Sequence, residues 1–214
     1  MRGIRIISVS LLLLLTGCGG NRQTDTTEYK LNSNSTVTDY FSREEIKVLA
    51  KLLDFFNEQI CLSRDIDKKR MIDCHDSYNE RMFEMAIEGY FDLKISCEKQ
   101  HEIFNQICDS LYYQIWYFDK DFRRNSPNFW ASYNSDGKYL KFLDELGKEC
   151  EMIKKCCEDL RAAGDISPTW VAEFMMIKKG YNYDLTDIRL QLVVALHYLT
   201  WNDRLCRIKE KGVW

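Results

Sequence analysis

The sequence predicts an all-α protein, a single irregular helical bundle of five to seven helices behind a disordered N-terminal tether. Three observations carry that expectation. Apolar residues recur at steps of three and four through most of residues 41–214, the spacing of one helix face. No stretch of useful length alternates apolar and polar residues as a half-buried strand would. The chain also has just two prolines, Pro127 and Pro168, so few positions forbid a helix. Residues 41–214 are about one domain by length.

The N-terminus is organised differently. Arg2 and Arg5 precede an apolar run, Ile6–Leu15, broken only by serines. At ~1.5 Å per residue this run crosses about half of a ~30 Å hydrocarbon core, which suits an export signal better than a membrane span. Leu15-Thr16-Gly17-Cys18 follows it, an aliphatic residue and two small residues before a cysteine. This stretch resembles the lipobox of bacterial lipoproteins. The resemblance implies that residues 1–17 are a signal peptide removed on export, that Cys18 is lipidated on its thiol and acylated on its new amino group with a palmitate-type chain, and that the lipid anchors the protein to a membrane. Residues after Cys18 lack an acidic cluster resembling a surface-export signal, and Gly19 is not the aspartate that resembles an inner-membrane retention signal, so the resemblance implies the outer membrane, facing the periplasm.

Residues 18–40 are then expected to be the lipidated cysteine and a flexible tether. Gly19–Asp39 is rich in Gly, Asn, Ser and Thr and poor in apolar residues, a composition that buries too little surface to offset ordering. As a random coil it would reach ~25 Å.

The helices follow in order. Ser42-Arg43-Glu44-Glu45 is a capping box opening a helix with Ile46, Leu49, Leu53, Phe56 and Ile60 on one face. A second helix, 67–88, carries Met71, Cys74, Tyr78, Met82 and Met85 and stops at Gly89. A third opens near Ser96 and presents Phe104, Cys108, Leu111, Ile115 and Phe118. A fourth, 138–163, shows Leu143, Leu146, Cys150, Ile153, Cys157 and Leu160, with Gly164 as its C-cap. Ser167-Pro168 starts a short fifth helix ending at Gly180. The last, 186–210, is apolar on nearly every side and belongs at the centre of the bundle.

Nine cysteines are present, and with Cys18 lipidated the other eight make an even set in an exported chain, where disulfides form. Cys97 and Cys108, about 16 Å apart along one helix, exceed the ~7 Å limit between bridged Cα atoms, and Cys150 cannot reach Cys157 for the same reason. Cys61 closes the first long helix and Cys74 lies early in the second, so Cys61 and Cys74 are the best single pair. Cys74, Cys108, Cys150 and Cys157 lie on apolar stripes, where buried free thiols are the alternative.

Chemistry is hard to find. The chain has no Gly-rich phosphate loop, HExxH, GxSxG or SxxK. Cys97 and His101, four apart, could bite zinc, but no CxxC accompanies them, so no metal and no cofactor is expected. A Cys–His nucleophile pair is conceivable at Cys74 or Cys97, though nothing local marks one. His75, His101 and His197 read as surface or satisfied core, and Glu84 with Glu88 as a solvated face. A formal net charge of −3 without a basic block excludes nucleic acid as a favoured partner.

Asp119–Gly137 is a long break between periodic segments, and long loops in compact domains are often functional. It holds Phe122, Arg123, Arg124, Phe129, Trp130 and Tyr133, types enriched where proteins bind one another. Either these aromatics fold back as a lid or they form a partner-binding patch. The function expected is a lipid-anchored, non-enzymatic envelope protein that binds a protein partner, of the immunity or exclusion type or as an assembly accessory. The alternatives are a structural envelope lipoprotein, or an enzyme with an unrecognised Cys/His or carboxylate site.

Overall fold

The computed structural model describes residues 22–62, 71–117, 132–164, 166–167, 170 and 184–210. Among these the fold is all-α, with nine helices and one two-stranded ladder. The helices are α1 (Arg22–Asn32), α2 (Ser35–Tyr40), α3 (Arg43–Leu62), α4 (Met71–Glu88), α5 (Cys97–Phe104), α6 (Asp109–Ile115), α7 (Lys138–Gly147), α8 (Glu151–Ala163) and α9 (Ile188–Glu210). The strands β1 (Trp116–Tyr117) and β2 (Ser132–Tyr133) pair antiparallel between α6 and α7.

The centre is α9. Fourteen of its residues are buried, among them Leu192, Ala195, Leu196, Tyr198 and Leu199 at 0% exposure or close to it. Its all-round apolar sequence requires such a place. Tyr198 stacks on Phe56 of α3 and meets Tyr78 of α4 edge-on at 5.1 Å between centroids, and its hydroxyl donates to Asn79 Oδ1 at 2.9 Å. Several polar groups caught in this core are paired, though neither ring nitrogen of His197 is. Gln100 Nε2 donates to the Leu199 carbonyl at 2.7 Å, and Tyr78 donates to the Leu93 carbonyl at 2.9 Å.

The capping box forms as the sequence predicts. Ser42 N–H donates to Glu45 Oε2 at 2.7 Å and Glu45 N–H to Ser42 Oγ at 3.4 Å. Gly89 (φ 77°) ends α4 and Gly164 (φ 73°) ends α8, each in the left-handed region that glycine enters without strain.

Three expectations need correction. Most of the supposed tether is folded: α1 lies against α3, and α2 follows with Asn34 Oδ1 as its N-cap. Leu31 and Val37 are fully buried, and Thr27 Oγ1 donates to Asp54 Oδ1 at 2.6 Å. Few apolar residues are present and Tyr29 is exposed, but Leu31 and Val37 are buried where α1 meets α3 and α2 meets α7, and tertiary packing supplies what propensity lacks. The expected third helix is two, α5 and α6, broken at Asn105, so that Cys108 leaves the stripe and is exposed. The expected fourth helix is also two, because Gly147 sits against Lys154; a Cβ there would lie 3.0 Å from that backbone. Cys150 becomes the N-cap residue of α8. The expected fifth helix lies outside the described residues, apart from Ser167 and Trp170.

Candidate functional site

Trp116 and Tyr133 face each other across the β1–β2 ladder, as do Tyr117 and Ser132. Strand alternation sends the first pair inward and Tyr117 outward. Trp116 Nε1 donates to Thr200 Oγ1 at 2.9 Å, the Tyr133 hydroxyl donates to the same oxygen at 3.1 Å, and Thr200 passes its own proton to the Leu196 carbonyl at 2.6 Å. Tyr133 also stacks on Tyr139, and Trp116 is flanked by Phe104 and Tyr112. The two chain ends bracketing residues 118–131 are thereby pinned side by side to α9.

Tyr133 is therefore not a surface contact. It is 4% exposed and serves as a buried anchor, which corrects its expected role in a partner-binding patch. As the second residue of β2, next to half-buried Ser132, it turns to the core face. Phe122, Arg123, Arg124, Phe129 and Trp130 lie outside the described residues, as does Cys18.

The foot of the loop is braced from below. Asn134 Nδ2 donates to the Tyr113 carbonyl at 2.6 Å and Asn134 N–H to the Ile115 carbonyl at 3.0 Å. A Cβ on Gly137 would stand 2.3 Å from the Gln114 carbonyl oxygen, so only glycine fits there. Lys138 Nζ pairs with Glu45 Oε1 at 2.9 Å. Burial opposes ionisation of Glu45, but the bonds from Lys138 and Ser42 outweigh it and hold its carboxyl below the usual range. Two aromatics that the sequence did not single out are exposed beside this foot, Tyr113 at 43% and Tyr117 at 47%. The signal available for Tyr117 was the alternation Trp116-Tyr117, too short to read as a strand.

The cysteines sort into three groups. Cys61 and Cys74 are bridged, Cα atoms 5.2 Å apart, tying α3 to α4 as the spacing suggested. Cys97 and Cys206 are also bridged, at 5.7 Å and across 109 residues. Cys150, Cys156 and Cys157 are buried free thiols. Burial pushes the Cys157 thiol up to about 12, with its bond to Asp144 adding to the effect, so it is a poor nucleophile. Cys108 is free and exposed, and its bonds with Ser110 and the Leu111 amide hold its thiol below the usual range.

The histidines fit no shared site. His75 is buried and bonded to Asn57 Oδ1 at 2.9 Å. His197 is buried against Tyr198. His101 lies 3.6 Å from Asp203 Oδ1 and 3.5 Å from Glu210 Oε1. Cys97, its proposed companion on zinc, is committed to the bridge with Cys206. Among the described residues no group of three or more His, Cys, Asp or Glu could hold a metal ion, and no helix is long and apolar enough to cross a membrane. Glu84 and Glu88 are both exposed on α4, as a solvated face would be.

Compared with family models, with curated proteins and with solved structures, the chain finds no match in any of the three.

Proposed function

We propose that this chain is a lipid-anchored, non-enzymatic envelope protein that binds a protein partner through the surface at the foot of residues 118–131. Cys18, in its lipobox-like setting, carries the lipid, and the periplasmic face of the outer membrane is the address. The observation that carries the binding reading is the arrangement of β1 and β2. Trp116 and Tyr133 clamp the loop ends to α9, while Tyr113 and Tyr117 stand exposed beside them. Groups already held in place before a partner arrives lose less freedom on binding. The intervening sequence adds Phe122, Arg123, Arg124, Phe129 and Trp130, residues that dominate contact energies when they are buried at an interface. An incoming toxin, for an immunity or exclusion protein, and a component of an envelope assembly are both partners of this kind.

Two variants test the reading. Cys18→Ser should move the protein from the membrane to the soluble fraction; retention in the membrane refutes the anchor. Phe129→Ala with Trp130→Ala should leave the helical circular dichroism unchanged and abolish co-purification of the partner. Loss of the helical signal would instead make those aromatics part of the core.

A further inference from the structure

We propose that the Cys97–Cys206 bridge is a site of thiol–disulfide exchange, opened when the cysteine thiolate of a second protein or peptide attacks Cys97 Sγ. The two bridges of the molecule differ in the way this requires. Cys61 and Cys74 are 2% and 0% exposed, so neither sulfur meets solvent. In the second bridge Cys206 is equally buried at 2%, but Cys97 is half-buried. An incoming thiolate therefore has one sulfur to attack, and the other is the leaving group.

The surroundings favour that direction. Cys97 is the first residue of α5, behind the Ser96 N-cap, where first-turn amides point toward negative charge. His101 stands one turn further on the same face, about 5–6 Å away between Cβ atoms. It is held by Asp203 and Glu210, and Asp203 is 2% exposed, bonded to Arg207 Nε at 2.6 Å, with an Oδ1 that makes no hydrogen bond. The buried sulfur has its own donor: Asn202 Nδ2 lies 3.5 Å from Cys206 Sγ, and the same amide donates to Gln100 Oε1 at 2.9 Å. A thiolate released at Cys206 meets a polarised N–H already in place.

The step balances without another reagent. The incoming sulfur forms a bond to Cys97 Sγ, the Cys97–Cys206 bond breaks, and its electron pair leaves on Cys206. That thiolate is stabilised by Asn202 Nδ2 or takes up a proton. A mixed disulfide then joins Cys97 to the second molecule. Attack by Cys206 on it restores the bridge and releases the partner's thiolate. The inference rests on neither the lipid anchor nor residues 118–131.

The test uses the full chain with Cys108→Ser, which removes the exposed free thiol, and reduced glutathione as probe under native conditions. Alkylation at timed intervals and peptide mass mapping report each bridge separately. Cys97–Cys206 should open at least about tenfold faster than Cys61–Cys74, with the glutathione adduct on Cys97. In Cys206→Ser, where Cys97 is a free thiol, oxidised glutathione should place an adduct on Cys97 that persists, because no Cys206 thiolate is left to displace it. Both bridges opening at one rate, opening only in denaturant, or an adduct on Cys206 would overturn the proposal. Where Cys206→Ser fails to fold, the rates in the bridged protein decide.

Discussion

Acid should unfold this protein early, and His75 accounts for about half of the effect. The side chain is 1% exposed, its Nε2 donates to Asn57 Oδ1, and its Nδ1 has no hydrogen bond. Burial pushes the imidazole down to about 4, against 6.5 for an ordinary histidine. Between those values the unfolded chain binds a proton that the folded chain refuses, so stability falls as pH drops through 6.5 toward 4. From pH 7.5 to 4.5 the loss is about 2.5 kcal/mol. His197, buried and pushed down to about 3, adds about the same over that interval. The sum, about 5 kcal/mol, approaches the whole stability of a typical domain. His75→Gln keeps an amide donor for Asn57 and removes the titration. Urea unfolding of both proteins at pH 7.5 and 4.5 should show the variant losing about 2.5 kcal/mol less than the parent, with unchanged m-values. Carboxylates titrate alike in both and cancel in the difference. An equal acid loss in the two proteins would refute the reasoning.

Three further outcomes are expected. Replacing Cys61 and Cys74 together by Ala should cost about 3 kcal/mol in urea unfolding, the chain-entropy value for a loop of 13 residues. Gly137→Ala should lower stability by about 1–3 kcal/mol through the clash with the Gln114 carbonyl, and thermal unfolding would reveal it. Tyr133→Phe keeps the stacking on Tyr139 but removes the bond to Thr200, so its melting temperature should drop by the equivalent of about 1 kcal/mol.

The parts of the fold that could be read in advance are those encoded locally. The Ser42–Glu45 box, the stops at Gly89 and Gly164 and the central place of α9 follow from side-chain chemistry within a turn or from periodicity alone. The Cys61–Cys74 bridge was legible because a short hairpin brings its ends together. Cys97–Cys206 was not, since nothing near either residue reports a partner 109 positions away. The packed state of residues 26–40 was hidden for a related reason. Leu31 and Val37 are buried where α1 meets α3 and α2 meets α7, and those contacts appear only once the partner helices exist. The breaks at Asn105 and Gly147 escaped notice because apolar spacing continues across them. At the candidate site, the aromatic content of the loop was visible, but the split between Tyr133 inside and Tyr117 outside depends on a two-residue ladder too short to leave a pattern.

The helix at the heart of the molecule is also the last of the described helices to leave the ribosome. Phe56, Tyr78 and Trp116 all close on residues of α9, so the aromatic centre of the bundle is completed only when α9 docks. A chain made from its N-terminus therefore gathers its helix pairs first and closes its aromatic centre late.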